Sequence, residues 1–391
     1  MAEAARIDPM ASGAPGPDGV ARYEEAFRSR YPQWTEILER NAERLRAGRY
    51  SLHWLDTDQA AWGRRAKPSS RGLTYTDVNL VKGYGQPPAE ARWRNFAPRG
   101  AVREPYAAEM PTLDDYTVLD RGEVWAENVL TLYEEAKARQ WNATRDIPWG
   151  ELSPLPDDLE KATCQLCTFL TEVEFVAGDF PAKWLYRIPQ DFLEVKSFLA
   201  TQVMDEARHQ EVFRKRAIAG GGLLHASPGF EWALKAILEA PSHTMGTFLL
   251  NLLGEGLVLS IFRSGEMIAK THVDKEIFRR CLQDEARHVS YGVMELKYYL
   301  DAHPDRAALE DMHRFADVGE QVILAAFTEA ALVEPVAILL GGGLDRIDQG
   351  MEGMAHLWSM FIDEYLQRCA RAGFERRARC TIPLDAPWAR A

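Results

Sequence analysis

Asp205-Glu206-Ala207-Arg208-His209 recurs unchanged as Asp284-Glu285-Ala286-Arg287-His288, 79 positions further along the chain. Each copy holds Glu-x-x-His. Residues three apart on an α-helix project from one face, so each copy aims a carboxylate and an imidazole at one point. A lone pair of this kind is ordinarily solvated. Here both copies are flanked by apolar residues, Leu199, Val203 and Phe213 around the first and Phe278, Leu282 and Val289 around the second. That places the charges against a core, where carboxylates and imidazoles are costly unless a cation gathers them. A four-helix bundle with two metal ions meets the requirement, with two further helices each adding one Glu.

The second added Glu is Glu255, the one carboxylate at the centre of an apolar helix, surrounded by Leu252, Val258, Leu259 and Phe262. For the first, Glu172 and Glu174 compete from different helical faces. Glu172 shares its stripe with Lys161, Asp179 and Lys183, and Glu174 with Thr163, Cys167, Leu170 and Leu185. Glu174 is preferred, because it stands 32 positions before Glu206, close to the 30 between Glu255 and Glu285. The expected metal set is therefore Glu174, Glu206, His209, Glu255, Glu285 and His288. Four carboxylates and two histidines suit iron first, with manganese possible at either position, and disfavour structural zinc. Asp205 and Asp284, each beside a ligand Glu, are expected to reach across and hold the outer nitrogen of the opposite histidine.

The 391 residues, 46% apolar with a net charge of −12, describe a globular chain without the basic face that nucleic acid requires. Five cysteines form no disulfide framework, and Cys164-x-x-Cys167 lies in an apolar helical run where core packing is expected. The setting read from this is reducing and cytoplasmic. Residues 1–20 are rich in Ala, Gly and Pro, lack the apolar run of a signal peptide, and read as a disordered tail. An amphipathic helix follows over 20–48, then an irregular embellishment to 120 with Trp54, Trp62, Pro87, Pro88 and Trp93. Residues 121–375 read as the metal-binding helical domain and 376–391 as a C-terminal tail. Within that domain one helix starts at Pro156-Asp157-Asp158 and is expected to stop at Pro181. The next stops at Gly220-Gly221-Gly222, Ser242 caps the apolar helix containing Glu255, and two helices follow the second motif around Gly341-Gly342-Gly343. The apolar stretch Thr244 to Ile268 is interrupted by Glu255, Arg263 and Glu266, so no membrane span is expected. Strand signals are nearly absent, and the fold class is all-α.

These residues resemble the ferritin-like non-haem di-iron oxygenases, most closely the hydroxylase α-subunits of bacterial multicomponent monooxygenases. Phe169-Leu170-Thr171-Glu172-Val173-Glu174-Phe175 resembles the segment carrying that family's first Glu, with Glu174 at the ligand position. Phe198 to His209 resembles its Asp-Glu-x-Arg-His helix, and Asp284 to Gly292 resembles the second copy; the likeness covers about Cys164 to Gly292. It implies a ferritin-like bundle with extra helices, two irons, and O2-dependent oxygenation of a small organic substrate. Leu170, Phe213, Val258, Leu259 and Phe262 would wall an apolar substrate pocket. Leu259 departs from the threonine that those monooxygenases carry four residues after the third ligand. The spacing is also similar to that of di-iron arylamine N-oxygenases, so the substrate class stays open. The radical-generating small subunit of ribonucleotide reductase is similar in helix pattern but carries a tyrosine where this chain has Phe213, and ferritin-type storage chains are about half this length. With no nicotinamide, flavin or iron–sulfur fingerprint, electrons are expected from a separate reductase or ferredoxin, or from peroxide. The expected assembly is a homodimer.

Overall fold

The computed structural model describes residues 21–22, 24–25, 28–29, 32, 34–50, 52, 55, 65–82, 116–226 and 228–388. Two compact units emerge: Met1–Arg65 with Ala101–Asp114, and Ala66–Gly100 with Asp115–Ala391. In the first, helix α1 (Trp34–Arg46) carries Glu36 in its first turn and Arg44 and Arg46 in its last, charges that complement the helix dipole. The expected tail at 1–20 and the residues Trp54, Trp62, Pro87, Pro88 and Trp93 lie outside the described residues.

The regular elements of the second unit are all helices; among its described residues there is one isolated bridge, Ser69 to Gly72, and no strand. Its order is α2 (Tyr75–Lys82), α3 (Val129–Ala138), α4 (Asp157–Leu185), α5 (Leu193–Gly220), α6 (Pro228–Leu238), α7 (His243–Arg263), α8 (Gly265–Ile268), α9 (His272–Ala302), α10 (Arg306–Phe327), α11 (Ala330–Gly341) and α12 (Ile347–Arg371). Helix α4 packs along α5 and α7 along α9, and α5 meets α9, so these four form the bundle. Their starts follow from capping: Ser242 Oγ accepts from Met245 N at 3.2 Å, and the Thr271 side chain accepts from Asp274 N. Gly221, at φ 138°, closes α5 where a side chain would be strained. Helix α7 is long and apolar enough to cross a membrane, but 89% of its most apolar window is buried inside the protein.

Four expectations are corrected. Helix α2 lies within the stretch read as irregular, its first turn held by Thr74, whose backbone N–H donates to Asp77 at 2.9 Å. Pro181 does not end α4, which runs on to Leu185. A proline removes one backbone bond, and the burial of Phe180, Pro181 and Trp184 in the surrounding protein outweighs that loss. Three helices follow the second motif where two were expected, because the chain breaks at Thr328–Glu329 and α10 and α11 meet at 58°. Residues 376–388, read as a tail, pack inward: Arg376 is fully buried and Ile382 and Ala386 join the core.

Helices α11 and α12 approach closely enough that a Cβ on Gly350 would stand 1.8 Å from the carbonyl oxygen of Ala337. Backbone cannot yield as a flexible side chain can. Gly350→Ala is therefore expected to destabilise by at least about 1–3 kcal/mol, read as a lower midpoint in urea at unchanged slope. An unchanged midpoint would contradict this packing.

Candidate metal centre

Helix α4 supplies Glu174, α5 supplies Glu206 and His209, α7 supplies Glu255, and α9 supplies Glu285 and His288. All six are buried. They fall into two groups, Glu174, Glu206, His209 and Glu285, and Glu206, Glu255, Glu285 and His288, within each of which one donor atom per residue lies within 4.8 Å of the others. His209 Nδ1 is 3.1 Å from Glu206 Oε2, 3.1 Å from Glu285 Oε1 and 3.6 Å from Glu174 Oε2. His288 Nδ1 is 3.0 Å from Glu206 Oε1, 3.4 Å from Glu285 Oε2 and 3.8 Å from Glu255 Oε1. Glu206 and Glu285 thus give one oxygen to each group.

The polar atoms facing inward have no hydrogen-bond partner among the described residues. These are both oxygens of Glu206 and of Glu285, Oε1 of Glu174, and Nδ1 of His209 and His288. So many orphaned buried polar atoms at one point are costly in a folded protein unless something binds them. Four carboxylates carry the charge that two divalent cations cancel, and a mostly oxygen donor set with two imidazoles suits iron or manganese. The residues fit a pair of metal ions.

Around this centre the two motifs cross. His209 Nε2 lies 3.2 Å from Asp284 Oδ2, and His288 Nε2 lies 3.3 Å from Asp205 Oδ2. Each aspartate therefore accepts from the histidine of the other helix, which turns both Nδ1 atoms inward. Arg287 donates to Asp205 at 2.8 Å and to Asp284 at 2.6 Å, while Arg208 donates to Asp284 at 2.9 Å and also to Asp205. Two arginines and two aspartates make a neutral buried ring. Trp141, from the loop after α3, donates its Nε1–H to Asp284 Oδ2 at 2.7 Å and lies under the Arg208 guanidinium.

Burial pushes the Glu174 carboxyl well above the usual range, with His209 offsetting only part of it. Burial, then the Glu285 charge, does the same at Glu255. Burial also acts to raise Glu206, but His288 and His209 outweigh it and hold that group far below the usual range. Burial disfavours charge on both imidazoles, yet Cys281 and Asp284 at His209, and Glu206 and Asp205 at His288, raise both well above the ordinary value. Without metal, protons supply the positive charge. Groups raised in this way keep their protons until the pH passes their raised values, so a metal must displace them. Mn(II) or Fe(II) added to metal-free protein should release protons and bind more tightly as pH rises from 6 toward 8. A pH-independent affinity with no proton release would contradict this.

Glu172 is half-buried and is in neither group. Glu174→Ala is expected to lose metal while Glu172→Ala keeps it; the reverse, by elemental analysis, would place the helical face wrongly by about half a turn. Of the residues expected to wall a pocket, Phe213 lines a small cavity with Ile277, Phe278, Leu339, Arg216 and Asp274. Leu170, Val258, Leu259 and Phe262 are buried but do not line it. Phe262 packs against Phe213 and Phe278, with ring centroids 5.6 and 5.7 Å apart. The sequence reading missed Trp141, Gln202 and Asn251. Gln202 Nε2 donates to Glu255 Oε1 at 3.0 Å and Asn251 Nδ2 donates to Glu255 Oε2 at 2.8 Å. Asn251 lies in a wide, π-helical segment of α7, Phe248–Gly254, a distortion with no residue signature of its own.

Two variants of an R2-like ligand-binding oxidase with aerobically reconstituted Mn/Fe cofactor are among the solved structures to which this chain is similar. One is 21% identical over 63% of this chain and 94% of that chain, with a TM-score of 0.48, and the other is 18% identical over the same shares, with a TM-score of 0.50. The fold is ferritin-like. A third structure, the R2-like ligand-binding oxidase from Sulfolobus acidocaldarius, is 16% identical over 57% of this chain and 91% of that chain, with a TM-score of 0.41. No family model and no curated protein matches this ferritin-like chain.

Proposed function

We propose that the protein is an O2-dependent oxidoreductase with a carboxylate-bridged pair of metal ions, iron first with manganese possible, that oxygenates a small, largely apolar or aromatic molecule. The observation that carries this reading is the pair of buried groups sharing Glu206 and Glu285, with their inward atoms unpartnered. Glu174, Glu206 and His209 with Glu285 would hold one ion, and Glu255, His288 and the two shared carboxylates the other. When bound, such a pair supplies redox equivalents for reducing O2.

The chain's own part is to hold and to exclude. Asp205 and Asp284 accept from the outer nitrogens of the imidazoles and so turn the inner ones toward the centre. Arg208 and Arg287 neutralise those aspartates, so the outer ring adds no net charge to the centre. Phe213, Phe262 and Phe278 form an aromatic cluster one to two turns from the nearest ligands, which keeps water away and offers an apolar substrate a surface. Phe213 also leaves no phenol at the place where the ribonucleotide reductase subunit has its tyrosine, and this favours chemistry on a substrate.

A second reading, a ligand-binding oxidase, is favoured by the names of the proteins that share the fold. The two are separated by giving reduced, iron-loaded protein 18O2 with small aromatic and aliphatic substrates and an external reductase. Label in a substrate-derived product supports oxygenation. Turnover of O2 to water or peroxide with no labelled product, together with an organic molecule released only on denaturation, supports the ligand-binding oxidase.

A further inference from the structure

The duplication that makes the ligand set symmetric is broken one turn upstream of each ligand Glu. Four positions before Glu206 stands Gln202, and four before Glu285 stands Cys281; four before Glu255 stands Asn251, and four before Glu174 stands Leu170. All four are buried. The two amides, one from each half of the repeat, both donate to Glu255, one to each oxygen. The thiol and the alkyl group provide Glu174 with no such donors: its Oε1 has no hydrogen-bond partner among the described residues, and its Oε2 lies 3.6 Å from His209 Nδ1. The amide contact is built into the backbone: the π-helical turn carries Asn251, and Gly292 of α9 makes room for it, since a Cβ there would stand 2.7 Å from Asn251 Cβ.

We infer that the two metal positions are unequal, and that Gln202 and Asn251, by fixing Glu255, make the position of Glu206, Glu255, Glu285 and His288 the first to fill. This rests on the metal-binding reading given above. Each carboxylate oxygen has two lone pairs, so an oxygen that accepts from an amide can still bind a cation. A side chain already held in its binding orientation loses little rotamer freedom on binding, and Glu174 has no amide donors to hold it so. Gln202 and Asn251 are positioning residues, with no contact to the ion required.

The test is a titration of metal-free full-length protein with Mn(II) alone, followed by electron paramagnetic resonance, which separates free, isolated and paired ions. The first equivalent is expected to bind about tenfold more tightly than the second, as ordering of one long side chain implies. His288→Ala should remove the tight phase and His209→Ala the weak one. Gln202→Cys with Asn251→Leu, which installs at each position the residue that its counterpart in the repeat carries, should bring the two phases together. One affinity for both equivalents in the unaltered protein, or a tight phase lost in His209→Ala and kept in His288→Ala, would overturn the inference. So would an unchanged gap in a double variant whose circular dichroism and melting show it folded. The histidine variants decide the assignment even where the double variant fails to fold. Binding of no Mn(II) at all would instead overturn the metal-binding reading on which it rests.

Discussion

Glu206→Ala, and separately Glu285→Ala, is expected to strip both metal ions, while His209→Ala or His288→Ala removes about one. The difference follows from the geometry. Each shared carboxylate places one oxygen 3.0–3.4 Å from the Nδ1 of each histidine, so its loss deprives both positions at once. Each histidine serves one position. Loss of either bridging carboxylate should abolish oxygen-dependent activity, a fall of more than about a thousandfold if the metals supply the electrostatic and redox terms. Elemental analysis after dialysis, with circular dichroism to show the helices intact, reads the effect. A Glu206→Ala protein that keeps one full equivalent would mean that the positions do not share that carboxylate.

The largest effect on stability is expected from Arg376→Ala. The Arg376 guanidinium donates to Glu320 at 2.9 Å through Nε and again through Nη2, and to Asp317 at 2.7 Å. Glu320 is itself fully buried and also accepts from Tyr365 Oη at 2.6 Å and from Thr381 N at 2.7 Å. Removing the arginine leaves a buried carboxylate with no cation. Breaking such a pair costs about 3–5 kcal/mol, enough to lower the melting temperature by roughly 4–6 °C in a chain of this size. The segment after Arg376 should loosen with it, and Trp358, whose Nε1–H donates to Pro383 O at 2.9 Å, reports on it by fluorescence. Adding Glu320→Gln to Arg376→Ala should recover part of the loss, since the orphaned charge goes too. A melting temperature within a degree of the parent would contradict the account.

What the sequence made legible was what local periodicity encodes. Glu-x-x-His fixes a face, the repeat pairs the faces, and Glu255 stands out because nothing else charged lies at the centre of its helix. The crossing of Asp205 and Asp284 followed from the same repeat, since each aspartate adjoins a ligand Glu on a helix facing its twin. Contacts across the chain were not legible. Trp141 reaches Asp284 from 143 positions away, and Gln202 reaches Glu255 from 53. A residue's face can be read from its own helix, but the identity of its neighbour depends on packing. The same limit hid Arg376, whose partners on α10 gave the C-terminal segment its place, and Pro181, where burial of adjacent aromatics outweighed a local helix breaker. The same limit applies to the aromatic residues: that Phe213, Phe262 and Phe278, from three different helices, meet in one cluster is set by packing and not by the spacing within any one helix.

The central claim is a two-metal centre that reacts with O2, and one measurement tests it most directly. Metal-free protein is loaded anaerobically with Fe(II), the bound iron is counted after removal of excess, and O2 is then admitted while the iron absorption is followed. The account predicts two irons per chain, a spectral change on exposure to O2, and its reversal by a two-electron reductant. Iron accumulating far beyond two per chain as mineral, or two bound irons that never react with O2, would contradict it.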